Sequence, residues 1–508
     1  MVMLPIFGVS SSVDASVLRQ ELHAWMKEPH SFALCALLRG FYKIQRLSES
    51  EWNSPGFSLP CILVRTNNTM TAIPLLETSS DNPAYTVEGK PDNGLEKKAR
   101  EIVASTVERL EQDLFALNRA IHLHPETCYE EIFAHATLTD FLETQGFHTQ
   151  RHAYGLDTSF SAECGLGGRL VIFCAEYDAL PGIGHGCGHN LIATASVAAF
   201  VSAATALMAA GVAGRVRILG TPAEEGGGGK VKLIQAGAFS EDVSAAIMCH
   251  ALPLHQIKAG WSGTAGFRTM ASRRFHVEFH GRNAHAGSQP WGGINALDAA
   301  VGAYSAVSML RQHIRPFERI QGIIEDGGQV PNVIPDYSRM AWGLRSSSVR
   351  EVDALYERVK SCMDGAATAS GCTVQFTPMA PYMELRVNHT LCKEYISEME
   401  LMGEKILLQD DEPSCAGTDM GNVSHIVPGF HGIFGIPTPL GVPVHHRSFA
   451  DAAATTQAHD ATLRSAKAMA MLAFKVLTNL ETAANINFDF VQGQNPELEV
   501  AVFDSFID

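Results

Sequence analysis

Three short apolar runs, GRLVIFCAEYD, GRVRILGTPAEE and SAAIMCHALP, recur between residues 168 and 253 and have the length of buried strands. Between them lie longer apolar patterns, Asn190 to Gly211 and Lys230 to Gly237, that read as helices. Strands alternating with helices predict a mainly parallel sheet covered on both faces, an α/β architecture. An amphipathic stretch, EKKAREIVASTVERLEQDLFALNRAIHLHPE, comes before them, and its charges opposite apolar positions predict a helix that opens the folded region near residue 96.

From about residue 265 the rhythm changes. RRFHVEFHG, NALDAAVGAYSAVSMLRQHI, RIQGIIEDGG, RMAWGLRSSS, the helical pattern from Val349 to Ser370, and CTVQFTP read as strand, helix, strand, strand, helix, strand. That order predicts a ferredoxin-like α+β layer over residues 265–379, inserted between the two halves, 96–264 and 380–482, of the main domain. The pattern ADAAATTQAHDATLRSAKAMAMLAFKVLTNL reads as a single closing helix. Residues 1–95, rich in Asn, Pro, Ser and Thr from Trp52 to Asn93, read as a flexible or partly ordered extension, and 483–508 as an acidic, irregular tail.

A chain of 508 residues is too long for one ordinary core, which agrees with two domains. Its net charge of −16, with no clustered positive field, argues against a nucleic-acid partner. The 11 cysteines have no framework spacing, which predicts reduced thiols and a cytoplasmic setting. The start, MVMLPIFGVSSS, lacks a basic flank. The apolar segment from Leu191 to Gly211 is Ala-rich and broken by Thr194, Ser196, Ser202 and Thr205, so it reads as a buried helix rather than a membrane span. A soluble enzyme acting on a small molecule, with no membrane partner, is the expectation.

Candidate chemistry gathers where the predicted strands end. In DALPGIGHGCGHN, Cys187 and His189 stand two apart in a glycine-rich turn that can bring a thiolate and an imidazole to one point; the alternative is a small buried thiol beside a satisfied histidine. In GTPAEEGGGG, Glu224 and Glu225 sit at the carboxyl edge of the sheet, where one can bind a metal and the other reach a water, or where both can simply complement a helix dipole. His250 ends a third strand, and His445 with His446 precedes SFADAAAT. Cys187, His189, Glu225, His250 and His445 together make a donor set of soft and borderline ligands suited to zinc or a similar divalent ion. GGGGK lacks the spacing and the following Ser or Thr of a phosphate-binding loop.

HLHPE, EYDALPGIGHGCGHN, GTPAEEGGGGK, GRNAHAGSQPWGGINALDA, DGGQVPNVIPD and GTDMGNVSHIVPG occur in one order, and the chain from about 96 to 482 thereby resembles peptidase family M20. Within the family it is similar to the amidohydrolase branch that uses a cysteine ligand and includes aminobenzoyl-glutamate hydrolase and the auxin-conjugate amidohydrolases. The resemblance implies a two-metal aminopeptidase/carboxypeptidase-like catalytic domain with an inserted dimerisation lid. It implies metal ligands at Cys187, His189, Glu225, His250 and His445, the last chosen over His446 because it stands four residues before Phe449. Glu176-Tyr177-Asp178 replaces the His-x-Asp found in many members, which leaves Asp178 as an orienting group behind the ligands.

The same resemblance implies that Glu224 is the acid/base and that His285 reaches the partner subunit's active site across a homodimer. Asn332 and Arg345 then line the carboxylate end of the substrate, where a guanidinium fork fits. The implied reaction is hydrolysis of an amide or peptide bond in a small N-acyl amino acid or dipeptide-like substrate, by a water that two divalent ions activate. Zinc is the expected ion, with manganese or cobalt able to replace it. Two rivals remain at this point. One is a non-catalytic binding or scaffold member of the same fold; the other is a thiol hydrolase using Cys187.

Overall fold

A computed structural model describes residues 61–66, 69–74, 93–239, 242–410 and 414–494. The chain divides into two units, Met1–Gly89 and Lys90–Asp508. In the first, strands β1 (Cys61–Thr66) and β2 (Thr69–Pro74) pair as an antiparallel hairpin. Residues 93–95 of the expected extension belong instead to the first helix of the second unit, and the remainder of the extension lies outside the described residues, as do residues 495–508.

The second unit begins with α1 (Asn93–Leu123) and α2 (Ile132–Thr144), followed by β3 (Thr149–Arg151), β4 (Phe160–Leu166) and β5 (Leu170–Ala175). Then come α3 (His189–Ala210), β6 (Gly214–Gly220), α4 (Gly229–Gln235), β7 (Val243–Pro253) and β8 (Gly263–Gly266). Every residue of β5 is buried, as the unbroken apolar run LVIFCA requires of a strand covered on both faces. Among the described residues α3 is the one helix long and apolar enough to cross a membrane, and the fold accounts for that composition differently: 89% of its apolar window is buried in the core.

The inserted layer holds β9 (Ala271–His280), β10 (Ala284–His285), α5 (Ala296–Leu310), β11 (Arg319–Asp326), β12 (Val333–Ile334), β13 (Tyr337–Ser346), α6 (Val349–Ser370) and β14 (Thr373–Pro378). Its antiparallel sheet runs β11-β13-β9-β14, the ferredoxin-like order. Strict alternation of burial along β13 sends Met340, Trp342 and Leu344 inward against α5 and α6. Ser348 caps α6 by accepting from Glu351 N at 3.3 Å, and Gly371, at φ 76°, ends it in the left-handed conformation that glycine adopts without strain.

The chain then returns through α7 (His389–Leu401), β15 (Ile406–Gln409), α8 (Met420–Ser424) and β16 (Gly429–Ile436) to α9 (Arg447–Ala453), α10 (Thr456–Thr478) and α11 (Leu480–Gly493). The eight-stranded sheet has the order β15-β8-β16-β7-β5-β6-β4-β3. Its centre, β16-β7-β5-β6, is parallel, while β4, β3 and the β16–β8 contact are antiparallel.

Two readings of the C-terminal region need correction. The single closing helix is broken, because Thr455 leaves the helical conformation and caps α10 by accepting from Ala458 N at 3.2 Å. The irregular tail is helical as far as Gly493. Asn479 caps this last helix, Ile486 is buried, and Asn388 donates to Ile486 O at 2.8 Å, so contact with α7 orders a segment whose composition looked unstructured.

Candidate active site

The parallel centre of the sheet brings the ends of β5, β6 and β7 to one edge, and the loops that leave them carry the polar residues. The loop after β5 runs from Glu176 to Cys187 and enters α3 at His189. Between these two donors Gly188 adopts φ 80°, and a Cβ there would lie 3.3 Å from the Phe449 ring. The turn therefore needs glycine for both its conformation and its close packing. After β6, Ala223 holds φ 60°, an uncommon conformation for a residue with a side chain, directly before Glu224. The carboxylate of Glu131 fixes it, accepting from Ala223 N at 2.9 Å, from Tyr129 N at 3.0 Å and from Thr158 Oγ1 at 2.8 Å. Tyr382 then donates to Glu224 O at 2.5 Å and accepts from Gly228 N at 3.0 Å.

Donor atoms of Cys187, His189 and His250 lie within 4.8 Å of one another, as do those of Cys187, Glu225 and His445, and those of Glu176, His189 and Glu224. Cys187 Sγ is 3.4 Å from His250 Nε2. His445 Nε2 is 3.4 Å from Glu225 Oε1, and His189 Nε2 is 3.9 Å from both Glu224 Oε2 and Glu225 Oε1. His445 also holds a left-handed φ of 62° and donates its own N–H to Gly186 O at 2.7 Å. Its neighbour His446 does something else: its Nδ1 accepts from Ser448 N at 3.1 Å and caps α9. Asp178 stands behind the cluster, with Oδ1 3.0 Å from His189 Nδ1 and Oδ2 accepting from Glu225 N at 2.9 Å.

This arrangement fits divalent metal ions. His189 Nε2 and Glu225 Oε1 are buried without a hydrogen-bond partner, although each faces other donor atoms. Such orphaned acceptors are costly unless something positive meets them. Burial, with the Glu225 charge beside it, pushes the Cys187 thiol well up, and burial with neighbouring His189 lowers His250 to about 4. At Glu225 the pull of burial is outweighed by His445 and His189, which hold the carboxyl down to about 2. Glu224 is raised well above the usual carboxylate range by burial and by the charges of Glu176 and Glu225. A thiol, imidazoles and carboxylates crowded in this way form a zinc-type donor set.

His285 and Asn332 lie apart from that cluster within one chain. They share the small β10–β12 pairing of the inserted layer, where Ala286 N donates to Asn332 O at 3.0 Å. His285 is exposed, and its Nδ1 accepts from Gly287 N and Ser288 N, each at 3.2 Å. Arg345, on β13, donates to Cys415 O at 2.7 Å.

The sequence reading missed a buried ion triad beneath the site. Lys230, fully buried, places Nζ 2.5 Å from Glu176 Oε1 and 2.6 Å from Asp419 Oδ1, and its backbone N–H donates to Asp419 Oδ2 at 2.9 Å. The other oxygen of Glu176 lies 3.7 Å from His189 Nε2, which ties the triad to the donor cluster. Burial raises Asp419 to about 6 against the pull of Lys230, whereas at Glu176 Lys230 and His189 overcome burial and lower the carboxyl. Only the presence of Lys230 at the end of GGGGK hinted at it. His431 was also missed. Its ring is buried between His250 and Phe267 with neither nitrogen hydrogen-bonded.

Comparison with known proteins gives this geometry relatives. The model of peptidase family M20/M25/M40 matches residues 172–468. The chain is 40% identical over 400 residues to the Xaa-Arg dipeptidase of Mus musculus, covering 75% of this chain and 89% of that protein. It is 33% identical over 270 residues to one of the two subunits of the p-aminobenzoyl-glutamate hydrolase of Escherichia coli (strain K12), covering 50% of this chain and 54% of the other. Among solved structures, the YXEP protein of Bacillus subtilis, a dinuclear metal-binding peptidase from the M20 family, superposes with a TM-score of 0.53. That pair shares 22% identity over 73% of this chain and 100% of the other, a likeness of fold.

Proposed function

Because the chain belongs to peptidase family M20/M25/M40 and hydrolyses amide or peptide bonds, we propose that it is a two-zinc amidohydrolase whose proton-transferring group is Glu224. Its substrates are small N-acyl amino acids or dipeptides, a class that the relatives' names, a dipeptidase and an aminobenzoyl-glutamate hydrolase, support. One observation carries the reading: Cys187, His189, Glu225, His250 and His445 converge from separate loops beside a buried Glu224. A binding-only protein has no need to keep both the complete donor set and that carboxylate.

Cys187, His189, Glu225, His250 and His445 would hold two divalent ions, which would supply an acidified water and polarisation of the scissile carbonyl. Glu224 takes a proton from the attacking water and delivers it to the leaving amine nitrogen, and burial with the charges of Glu176 and Glu225 beside it raises this carboxyl's affinity for the proton it carries between them. Glu131 and Tyr382 keep it on target by clamping the backbone on either side of it. His285, whose Nδ1 already accepts two backbone N–H groups, carries its proton on Nε2 and so offers a donor to the developing oxyanion. In this reading it acts across a homodimer, from the inserted layer of one subunit into the site of the other. Arg345 grips the substrate's terminal carboxylate with its fork, and Asn332 flanks it.

The test is Glu224→Gln. We expect two metal ions per chain by plasma mass spectrometry and a fall in kcat of roughly 10²- to 10⁴-fold on a small dipeptide. Turnover within tenfold of wild type, at equal metal content, removes Glu224 from the chemistry.

A further inference from the structure

The inserted layer carries a cavity of about 330 Å³ where α6 begins, lined by the turn before β11 and by the first turns of α6. Along α6, Arg350, Ala354 and Arg358 recur every four positions and so share one face of the helix. His313, Arg315 and Glu318 line the cavity from the turn. Leu355, buried, and Ala354 give it an apolar part. The cavity shares no residue with the cluster of metal-donor side chains.

Positive charge collects here against the trend of the chain, which has 38 Lys and Arg against 54 Asp and Glu. The two glutamates of the lining are already engaged. Glu318 Oε2 accepts from Arg315 N at 2.8 Å and closes the turn that presents Arg315. Glu351 accepts from Ser346 Oγ at 3.3 Å, from Ser347 Oγ and from Arg315 Nη1. Arg358 donates one N–H to His313 O at 2.9 Å. Arg350 is exposed and, among the described residues, has neither a hydrogen-bonded nor an ionic partner for its side chain. A guanidinium offers five N–H donors in a rigid fork, so the protein leaves most of the donors of these three arginines unmet. The N-terminal end of α6 adds the partial positive charge of its dipole.

A carboxylate brings one charge and is satisfied by one fork. A phosphate ester brings three acceptor oxygens and about two negative charges at neutral pH, which is the match for several guanidiniums around one space. The volume is at the lower end of small-molecule sites, roughly 300–1,000 Å³, and leaves room beside the phosphate for the rest of a small ligand. We infer that this cavity binds the phosphate group of a small phosphorylated molecule, with Arg350 and Arg358 as its principal cations and Ala354 and Leu355 against the remainder of the ligand. The site is independent of the amidohydrolase reading.

Calorimetric titration of the metal-loaded protein with inorganic phosphate, and with acetate at matched ionic strength, reads the site without turnover. We expect phosphate to bind about tenfold or more tightly than acetate. The double variant Arg350→Gln with Arg358→Gln should weaken phosphate binding by about tenfold or more, with metal content and circular dichroism unchanged, which separates this site from phosphate held at the metal ions. Arg350→Gln alone, which breaks no contact within the described residues, should weaken it severalfold. Phosphate affinity that both variants leave unchanged, phosphate bound no more tightly than acetate, or no binding at millimolar phosphate overturns the inference while the hydrolytic function stands.

Discussion

Replacing Lys230 with Met removes the cation between two buried carboxylates and keeps most of the volume of the aliphatic stem. Glu176 and Asp419 then face each other's surroundings with no positive group at 2.5 and 2.6 Å. The two cannot both stay ionised there, because breaking a buried pair leaves an uncompensated charge. They must therefore take up at least one proton in the folded state. Taking ordinary unfolded values near 4.3 and 3.9, protonating each at pH 7 costs about 4 kcal/mol at 1.36 kcal/mol per pH unit. If the two share one proton the loss is about 4 kcal/mol, and if both are neutralised about 8 kcal/mol. The sign of the pH effect follows. Folded pKa values raised above the unfolded ones mean that the missing stability returns as pH falls, so at pH 5 the cost shrinks to about 1–1.5 kcal/mol per carboxyl. The assay is urea unfolding followed by fluorescence and circular dichroism at pH 5 to 8, on chelator-treated wild type and Lys230→Met, so that metal linkage drops out. A deficit below about 2 kcal/mol at pH 7, or one that does not shrink toward pH 5, refutes the reasoning.

Chelation should strip two ions per chain and abolish turnover, with zinc restoring it and manganese or cobalt restoring part; activity that survives full metal removal, measured by mass spectrometry, points instead to a thiol mechanism at Cys187. If His285 serves the neighbouring subunit, mixing the inactive variants Glu224→Gln and His285→Ala regains about a quarter of wild-type activity on subunit exchange, because one in two heterodimer sites is intact; no recovery in a mixture shown to exchange rules that role out. Glu398 binds Arg100 Nε at 2.7 Å, Arg100 Nη2 at 2.8 Å and Lys475 Nζ at 2.7 Å, tying α7 to α1 and α10. Burial resists its ionisation, but the Arg100 and Lys475 contacts win and lower its pKa. Its contribution is thus present above about pH 4.5 and lost as pH falls through the folded value. Glu398→Gln should cost roughly 1.5–3 kcal/mol at pH 7 and nearly nothing in strong acid, by the same unfolding assay.

The parts of the fold that were legible are those set by local pattern. Full burial on both faces makes β5 a continuous apolar run, and half burial makes β13 alternate, so each announces itself within ten residues. The loops that carry the clustered donor atoms were legible for a related reason. A donor set with this chemistry needs glycines at Gly188 and in GGGG to bend the backbone, and those glycines mark the loops in the sequence.

What stayed hidden depends on partners far along the chain. Lys230 meets Glu176 across 54 positions and Asp419 across 189, and nothing adjacent to any of the three shows that a cation will be buried. The last helix is ordered by α7 rather than by its own composition, with Asn388 reaching Ile486 from 98 residues away. Arg273 and Arg274 show the limit most sharply. As a dipeptide they read as two exposed charges on a strand, yet the pleat turns one toward Asp353 and the other toward Gly226, so identical residues acquire different surroundings from a one-residue shift in register. Which face of the inserted sheet a charge occupies is fixed only once β9 has paired with β13.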